Sequence, residues 1–155
     1  MKQKIYTYQI KSPVGRLDLY ADEKSLLALT FATPKKKSPC PFAETAPVKK
    51  ENLVIKKAVR QLEEYFAGKR KNFDLTLNPA GTAFQKKAWR TLRQIPFGTT
   101  LSYKEQAIKT GSAKAVRAIG SANGQNPIAI IIPCHATLVK WGLTLSKGDK
   151  LAAGV

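Results

Sequence analysis

The spacing of the apolar residues changes at an Asn-Pro-Ala-Gly segment, residues 78–81. Before this segment most apolar residues alternate in short runs, which is typical of strands with one buried face. After it they recur every three or four residues, the spacing of amphipathic helices. Because proline and glycine commonly separate elements, we expect two domains, an α+β domain at residues 1–78 and a mainly helical domain at residues 79–155.

The first domain is predicted to be a small antiparallel sheet with one helix. Alternation predicts strands in three early runs and one late run, residues 5–10, 16–20, 25–31 and 73–77. Apolar residues at helical spacing predict a helix that ends at Gly68, and they are Ile55, Val59, Leu62 and Phe66. Residues 33–50 contain four prolines and five lysines, which predicts a solvated loop. We interpret Cys40, which lies between two prolines of this loop, as an incidental surface thiol.

The second domain is predicted to contain a helix-turn-helix. Thr82 is the expected N-cap of a first helix, whose core-facing residues are Phe84, Ala88, Leu92 and Ile95. Ser102 is expected to cap a helix over residues 103–110, and Gly111-Ser112 forms a turn before a second helix over residues 113–122. That second helix is rich in small residues, which would let it approach either a nucleic-acid groove or a neighbouring helix closely. The sequence alone leaves both options open.

A large positive charge is the main compositional feature of the chain. There are 27 basic and 10 acidic residues, a formal net charge of +17, and residues 79–155 contain 11 basic and 2 acidic residues. Such a surface attracts polyanions, of which nucleic acid is the commonest; a basic protein without a polyanionic partner is the alternative. No apolar stretch reaches the roughly 18 residues of a membrane span, so no membrane partner is expected. The N-terminus lacks a signal-peptide pattern, which predicts a cytoplasmic protein.

A Pro-Cys-His sequence at residues 133–135 is the strongest candidate for chemistry. It follows an apolar run, residues 128–132, that predicts a buried strand ending at the proline. A thiolate is a nucleophile and an imidazole accepts protons near neutral pH, so Cys134 and His135 could form a reaction centre. The alternative is a buried cysteine that lies beside a histidine by chance. One histidine and two distant cysteines do not provide a tetrahedral zinc site, so we expect neither a metal nor a cofactor.

Several separated motifs resemble those of one family, the O6-alkylguanine-DNA alkyltransferases, also called methylated-DNA–protein-cysteine methyltransferases. The segments that resemble it keep the order and spacing of the family's motifs and are residues 95–103, 115–120, 126–127 and 132–135. The resemblance implies a ribonuclease H-like first domain and a winged-helix-like second domain. It also implies DNA repair by direct reversal, in which an alkyl group moves once from O6 of guanine, or O4 of thymine, in double-stranded DNA to a cysteine of a monomeric protein.

The resemblance also implies roles for the matching residues. Cys134 would accept the alkyl group, His135 would draw off the thiol proton through a water, and Asn126 would hold the backbone of the active site. Tyr103 would help to rotate the nucleotide out of the stack and later donate to the guanine, while Arg117 would fill the vacated space in the minor groove. The other residues expected to contact DNA lie in or beside the helix pair, and they are Ser102, Lys114, Ala115, Ala118 and Gly120.

The sequence departs from the family pattern after His135. It continues Ala136-Thr137-Leu138 where the family usually has Arg-Val, and Asp149 is the only acidic residue after Glu105, whereas the family's last helix carries a glutamate that orients the histidine. Three explanations stay open: a shortened variant in which Asp149 replaces the glutamate, a frameshift or truncated gene, or an alkyltransferase-like protein that binds lesions with weak or no transfer. The retained Cys134 argues against the third. A cysteine hydrolase is a further alternative, to which the positive charge gives little support.

Overall fold

The alternating segments near the N-terminus form a meander in the computed structural model, which describes residues 4–32, 42, 45–95 and 102–132. The strands β1 (Tyr6–Ser12), β2 (Gly15–Ala21) and β3 (Leu26–Ala32) pair antiparallel in sequence order. Gly15 closes the first turn with φ +110°, a conformation that glycine adopts without the steric cost of a Cβ. The antiparallel sheet that the alternation predicts is therefore confirmed for these three strands.

A short fourth strand makes the sheet mixed. β4 (Val48–Lys49) pairs parallel with β1, which gives the strand order β3-β2-β1-β4. It belongs to the segment 33–50 that was predicted to be a loop, and the prediction is wrong for these two residues. Two residues are too few to show an alternating pattern, so the sequence carries no signal for this strand. The rest of the segment as far as residue 44, including Cys40 but not Phe42, lies outside the described residues.

The predicted helix of the first domain is confirmed as α1 (Leu53–Phe66). Asn52 caps it by accepting a hydrogen bond from the Ile55 amide at 3.0 Å. The helix lies against β1, β2 and β3, and its buried side chains recur at helical spacing: Ile55, Ala58, Gln61, Leu62 and Tyr65. Burial raises the pKa of the Tyr65 phenol, because loss of solvent disfavours the charged phenolate.

The strand predicted at residues 73–77 is wrong. Only Leu77 makes a ladder contact, a single parallel bridge to Leu26 at the edge of the sheet. The Gln61 side chain takes both backbone polar groups of Asp74, donating to its carbonyl at 3.0 Å and accepting from its amide at 2.9 Å. A side chain from α1 thus satisfies backbone groups that a neighbouring strand would otherwise pair with.

Three helices share one core in the second of the two units into which the chain divides, Met1–Pro79 and Ala80–Val155. They are α2 (Ala83–Arg93), α3 (Tyr103–Thr110) and α4 (Val116–Gly124). Thr82 begins α2 with a capping box, since its hydroxyl accepts from the Gln85 amide and the Gln85 side chain accepts from the Thr82 amide. The core is built from small and branched side chains, namely Ala88, Ala107, Ile119 and Ala122, with Phe84, Tyr103 and Val116 packed around them. The predicted pair of helices joined by a turn is confirmed.

The second helix of this pair begins later than predicted. α4 starts at Val116 and not at Ala113, and a turn precedes it, closed by a hydrogen bond from the Ala115 amide to the Ser112 carbonyl at 3.1 Å. Lys114 therefore lies in the turn and not on the helix. Ala115 is the N-cap and makes no side-chain cap hydrogen bond. Because alanine is the best helix former, the two alanines of this turn suggested a helix where there is none.

The apolar run at residues 128–132 is a turn that follows an isolated bridge residue, Ile128, and not the predicted strand. The Ile132 amide donates to the Ile128 carbonyl at 3.1 Å, so the backbone closes on itself. Ile130 has φ +70°, a conformation that β-branched residues rarely adopt. Burial explains the apolar character of the run without a strand, because three of its side chains are in the core: Ile128, Ile131 and Ile132.

Candidate functional site

The turn between α3 and α4 depends on a left-handed glycine. Gly111 has φ +112°, and its amide donates to the carbonyls of Ala107 and Ile108 at 3.1 and 3.0 Å. The Ser112 amide also reaches the Ala107 carbonyl, at 3.0 Å. A residue with a Cβ is strained at this φ, so Gly111 sets the direction in which the chain leaves α3.

Ser102 and Tyr103 lie at the start of α3. The Ser102 hydroxyl accepts from the Glu105 amide at 3.1 Å and donates to the Glu105 carboxylate at 3.0 Å, which confirms the predicted N-cap. Tyr103 is half-buried and packs against the core of the three helices. Gly120 of α4 faces it, since a Cβ placed on Gly120 would lie 3.8 Å from Cε2 of Tyr103. Two residues that the sequence assigned to one site are therefore neighbours.

The exposed face of α4 carries one long basic side chain beside small side chains. Arg117 and Ala118 are exposed on the helix, and Lys114 is exposed in the turn before it. Ala115 is half-buried at the N-cap position. Because small side chains leave the helix backbone accessible, this face can be approached closely by a polyanion.

Asn126 fixes the turn that follows α4. Its side-chain amide donates to the Ile132 carbonyl at 2.9 Å, and its side-chain oxygen accepts from the Ile128 amide at 3.0 Å. Its backbone amide donates to the Asn123 carbonyl in the last turn of α4, at 3.3 Å. One asparagine therefore connects the end of the helix to both ends of the turn at residues 128–132.

The proposed reaction pair, Cys134 and His135, lies outside the described residues, and so does the rest of the chain to residue 155, with Asp149. The described chain ends at Ile132, whose side chain is 1% exposed. Only Pro133 separates that fixed and buried residue from Cys134 in the sequence.

Sequence analysis missed a buried polar pair between α3 and α4. Gln106 and Asn123 are 0% and 4% exposed and bond to each other through their side-chain amides. It also missed Trp89, whose indole N–H donates to the Ala122 carbonyl at 2.8 Å and ties α2 to α4. A signal for the pair existed: Gln106 lies at helical spacing with Tyr103, Ala107 and Thr110, so a polar residue stands on a core-facing stripe.

The charge of this unit is almost entirely positive in the part that the structure describes. Eight lysines and arginines of residues 80–95 and 102–132 are exposed, and Glu105 is the only acidic residue there. One carboxylate cannot neutralise eight cations. In the first unit, by contrast, cations pair with acids on or beside α1: Lys57 with Asp74, and Arg60 and Arg70 with Glu64.

Neither a metal cluster nor a membrane-spanning element is found where the coordinates describe the chain. No three His, Cys, Asp or Glu side chains among those residues lie together in a way that could hold a metal ion. None of the described helices is both long and apolar enough to cross a bilayer. The candidate site consists of helix ends, a fixed turn and surface cations.

Two family models match the chain one after the other. Residues 4–79 match the ribonuclease-like domain of 6-O-methylguanine DNA methyltransferase, and residues 83–151 match the DNA binding domain of the same enzyme. The second match runs through the Pro-Cys-His sequence and most of the residues after it.

Individual relatives agree with the family models. A methylated-DNA–protein-cysteine methyltransferase of Methanosarcina barkeri is 48% identical over 129 residues, which cover 83% of this chain and 79% of the relative. The crystal structure of the O6-methylguanine methyltransferase of Mycobacterium tuberculosis matches with a TM-score of 0.82 at 36% identity, covering 96% of this chain and 87% of that one. The same organism's OGT in complex with DNA matches with a TM-score of 0.72 at 38% identity, covering 84% and 76% of the two chains. The likeness extends over both units.

Proposed function

The chain belongs to the methylated-DNA–protein-cysteine methyltransferase family, and from this membership we propose that it repairs alkylated DNA by direct reversal. An alkyl group, in the simplest case methyl, moves from O6 of guanine in duplex DNA to one cysteine of the protein. Each molecule acts once, because the cysteine is consumed. We extend the proposal to O4 of thymine and to a monomer that acts in the cytoplasm.

We assign DNA contact and chemistry to a domain of residues 79–155, and we treat residues 1–78 as a separate α+β domain. The helix pair, the turn fixed by Asn126 and the Pro-Cys-His sequence all belong to the second part. The uncompensated positive charge supports the same assignment, because phosphates contribute most of the affinity for DNA.

The observation that carries the proposal is the turn held by Asn126. It connects the last turn of α4 to Ile132 through defined hydrogen bonds, and Cys134 follows Ile132 by two residues. An alkyl acceptor needs such a fixed approach, since transfer depends on placing the sulfur in line with the bond that breaks. The proposed DNA-contacting helix is therefore joined by a hydrogen-bonded turn to Ile132, which precedes the proposed acceptor by two residues in the sequence.

The proposed transfer is a single displacement at carbon. The Cys134 thiol gives its proton through a water to His135, and the thiolate sulfur forms a bond to the alkyl carbon while the bond from that carbon to O6 breaks. The electron pair of the broken bond goes to the guanine, and the Tyr103 hydroxyl donates to the ring as negative charge develops there. At the end the sulfur carries the alkyl group, and the guanine has taken one proton from the Tyr103 hydroxyl. The proton that His135 received from the thiol returns through solvent to Tyr103, so both residues regain their starting state.

Access to the lesion requires the nucleotide to leave the base stack, at a cost of a few kcal/mol. We propose that Arg117 enters the stack from the minor groove and fills the vacated space. Its exposure on α4 beside small side chains supports this role. The remaining proposed DNA contacts are Ser102 and Tyr103 at the start of α3, together with Lys114, Ala115, Ala118 and Gly120.

Intact-mass measurement tests the function directly. Incubation with excess duplex DNA that contains O6-methylguanine should add one methyl group to each protein molecule, because one thiol accepts one group. The Cys134→Ser variant should gain nothing, since serine lacks the sulfur nucleophile. The Cys40→Ser variant serves as the matched control and should gain the methyl group like the natural chain. Lesion-preferring binding without any gain in mass would contradict the transfer proposal.

A further inference from the structure

The buried pair between α3 and α4 is reciprocal. The Gln106 side-chain nitrogen donates to the Asn123 side-chain oxygen at 2.9 Å, and the Asn123 nitrogen donates back to the Gln106 oxygen at 2.8 Å. The Gln106 nitrogen also reaches the Ala88 carbonyl of α2, at 3.3 Å. One amide pair therefore connects α2, α3 and α4 inside their common core.

Such a pair specifies geometry more strictly than the apolar contacts around it. Apolar burial is non-directional, so the contacts among Ala107, Ile119 and Ala122 do not by themselves fix the orientation of the helices. Two antiparallel amide hydrogen bonds, in contrast, fix both the distance and the orientation of the helices that carry them. A buried amide that loses its partner keeps the full cost of its desolvation, so displaced arrangements of α3 and α4 are disfavoured.

The pair is also connected by hydrogen bonds to the turn that precedes the proposed acceptor cysteine in the sequence. Asn123 is in the last turn of α4, and its carbonyl accepts from the Asn126 amide at 3.3 Å. The Asn126 side-chain amide donates to the Ile132 carbonyl at 2.9 Å, and Ile132 precedes Cys134 by two residues in the sequence. On the other side, Gln106 belongs to the same short helix as Tyr103.

We infer that Gln106 and Asn123 are positioning residues for alkyl transfer. They set α3, which carries Tyr103, against α4 and the turn that leads to Cys134. This inference rests on the proposed function, because it concerns the geometry of the same reaction. The pair lies in the core between the helices, and its proposed effect passes through them.

A double variant separates positioning from stability. Gln106→Met together with Asn123→Leu replaces both amides by apolar groups of similar size, so neither amide is left without its partner, and only the 3.3 Å contact to the Ala88 carbonyl is lost besides. Replacing both partners of a buried polar pair in this way can be nearly neutral for stability. We expect a melting temperature near that of the natural chain. Methyl transfer from O6-methylguanine in duplex DNA should nevertheless slow by about ten- to a hundred-fold, since small misplacements of reacting groups have such effects.

Reaction with iodoacetamide supplies a readout that positioning should not change. In a Cys40→Ser background, the Cys134 thiol of the double variant should react with this small reagent at the natural rate, because the reagent needs no alignment with Tyr103 or α4. Slower alkyl transfer with unchanged thiol alkylation is the expected signature. If the double variant does not fold, Gln106→Asn replaces it: this variant keeps an amide but shortens the reach by one methylene, and the same signature is expected.

Thr91→Val is the matched control. Thr91 also makes buried polar contacts in this core, to the Lys87 carbonyl at 3.0 Å and to the Thr110 hydroxyl at 3.4 Å, but they join α2 to itself and to α3. It should lower the melting temperature and leave the transfer rate unchanged. Transfer by the double variant at the natural rate would overturn the positioning role. A natural chain that gains no methyl group would instead contradict the proposed function.

Discussion

At the scale of single residues, the contact between Gly81 and Trp89 shows how little freedom the core of the second unit has. A Cβ built on Gly81 would lie 2.6 Å from Cη2 and 2.8 Å from Cζ3 of the Trp89 indole. The ring cannot move aside easily, because it is 2% exposed and its N–H is bonded to the Ala122 carbonyl at 2.8 Å. Gly81 is therefore needed for close approach and not for an unusual φ.

The Gly81→Ala variant should be destabilised by about 1–3 kcal/mol, the usual cost of forcing an extra carbon into a packed core. Urea unfolding measures the change in the free energy of unfolding. Gly124→Ala is the matched control, because nothing lies within 4 Å of a Cβ at that position of α4. It should be neutral or stabilising by up to about 1 kcal/mol, since alanine favours helix over glycine. Equal losses of unfolding free energy in the two variants would show that the Trp89 contact does not cause the destabilisation.

The contact between Gln106 and Asn123 is one that the sequence could not predict. The pattern of core-facing positions placed Ala88 and Leu92 correctly, but it could not tell that Gln106 and Asn123, 17 residues apart, would meet and bond. Whether a polar side chain on a core-facing stripe finds a partner depends on how the two helices cross. That information is not local, and a sequence pattern describes only local order.

At the scale of elements, helices were predictable where caps and periodicity agreed, as at Thr82 and Ser102. The turn at residues 128–132 was not, because a run of isoleucines has strong strand preference. Three influences override that preference: two hydrogen bonds from Asn126 take the backbone groups at its ends, the chain closes from Ile132 to Ile128, and burial accommodates the side chains. Ile130 tolerates a positive φ only because these surroundings hold it there.

The Asn126→Asp variant tests this element. Aspartate can still accept from the Ile128 amide, but its second oxygen faces the Ile132 carbonyl and cannot donate to it. We expect a loss of stability of about 1–3 kcal/mol, the cost of an unsatisfied buried group, and slower methyl transfer to Cys134 in a single-turnover assay with duplex O6-methylguanine.

Asn52→Asp makes the same chemical change in the other unit. The Asn52 side chain also accepts from one amide, that of Ile55 at 3.0 Å, and donates to one carbonyl, that of Asp22 at 2.9 Å. It should reduce stability without slowing transfer. If Asn126→Asp transferred as fast as Asn52→Asp, the turn would have no part in placing the acceptor.

At the scale of the whole molecule, the acidic residues are distributed unevenly between the two halves. α1 has carboxylates beside its cations, whereas residues 79–155 contain 11 basic and only 2 acidic residues. Composition predicted this asymmetry directly, because counting charges needs no fold. The positions of the cations on helix faces needed the structure, as Lys114 shows: it was expected on a helix and lies in a turn.

Affinity for duplex DNA should fall as salt concentration rises, because bound cations release counterions from phosphates. The Lys114→Gln variant should reduce the slope of log affinity against log salt by about one, if Lys114 contacts one phosphate. Lys57→Gln is the control, since the Lys57 ammonium lies 3.8 Å from the Asp74 carboxylate in the other unit. Fluorescence anisotropy with a labelled duplex gives both slopes. An unchanged slope for Lys114→Gln would remove it from the DNA-contacting residues.

The scarcity of carboxylates in the second half has a consequence for its own cohesion. Like charges on a small folded body repel one another, and they oppose its compact state. The phosphates of a bound DNA duplex reduce that repulsion by neutralising the cations. They do so whether or not the duplex contains a damaged base. Undamaged DNA should therefore stabilise this half as much as damaged DNA does, so the stabilisation acts during the search for a lesion as well as at the lesion.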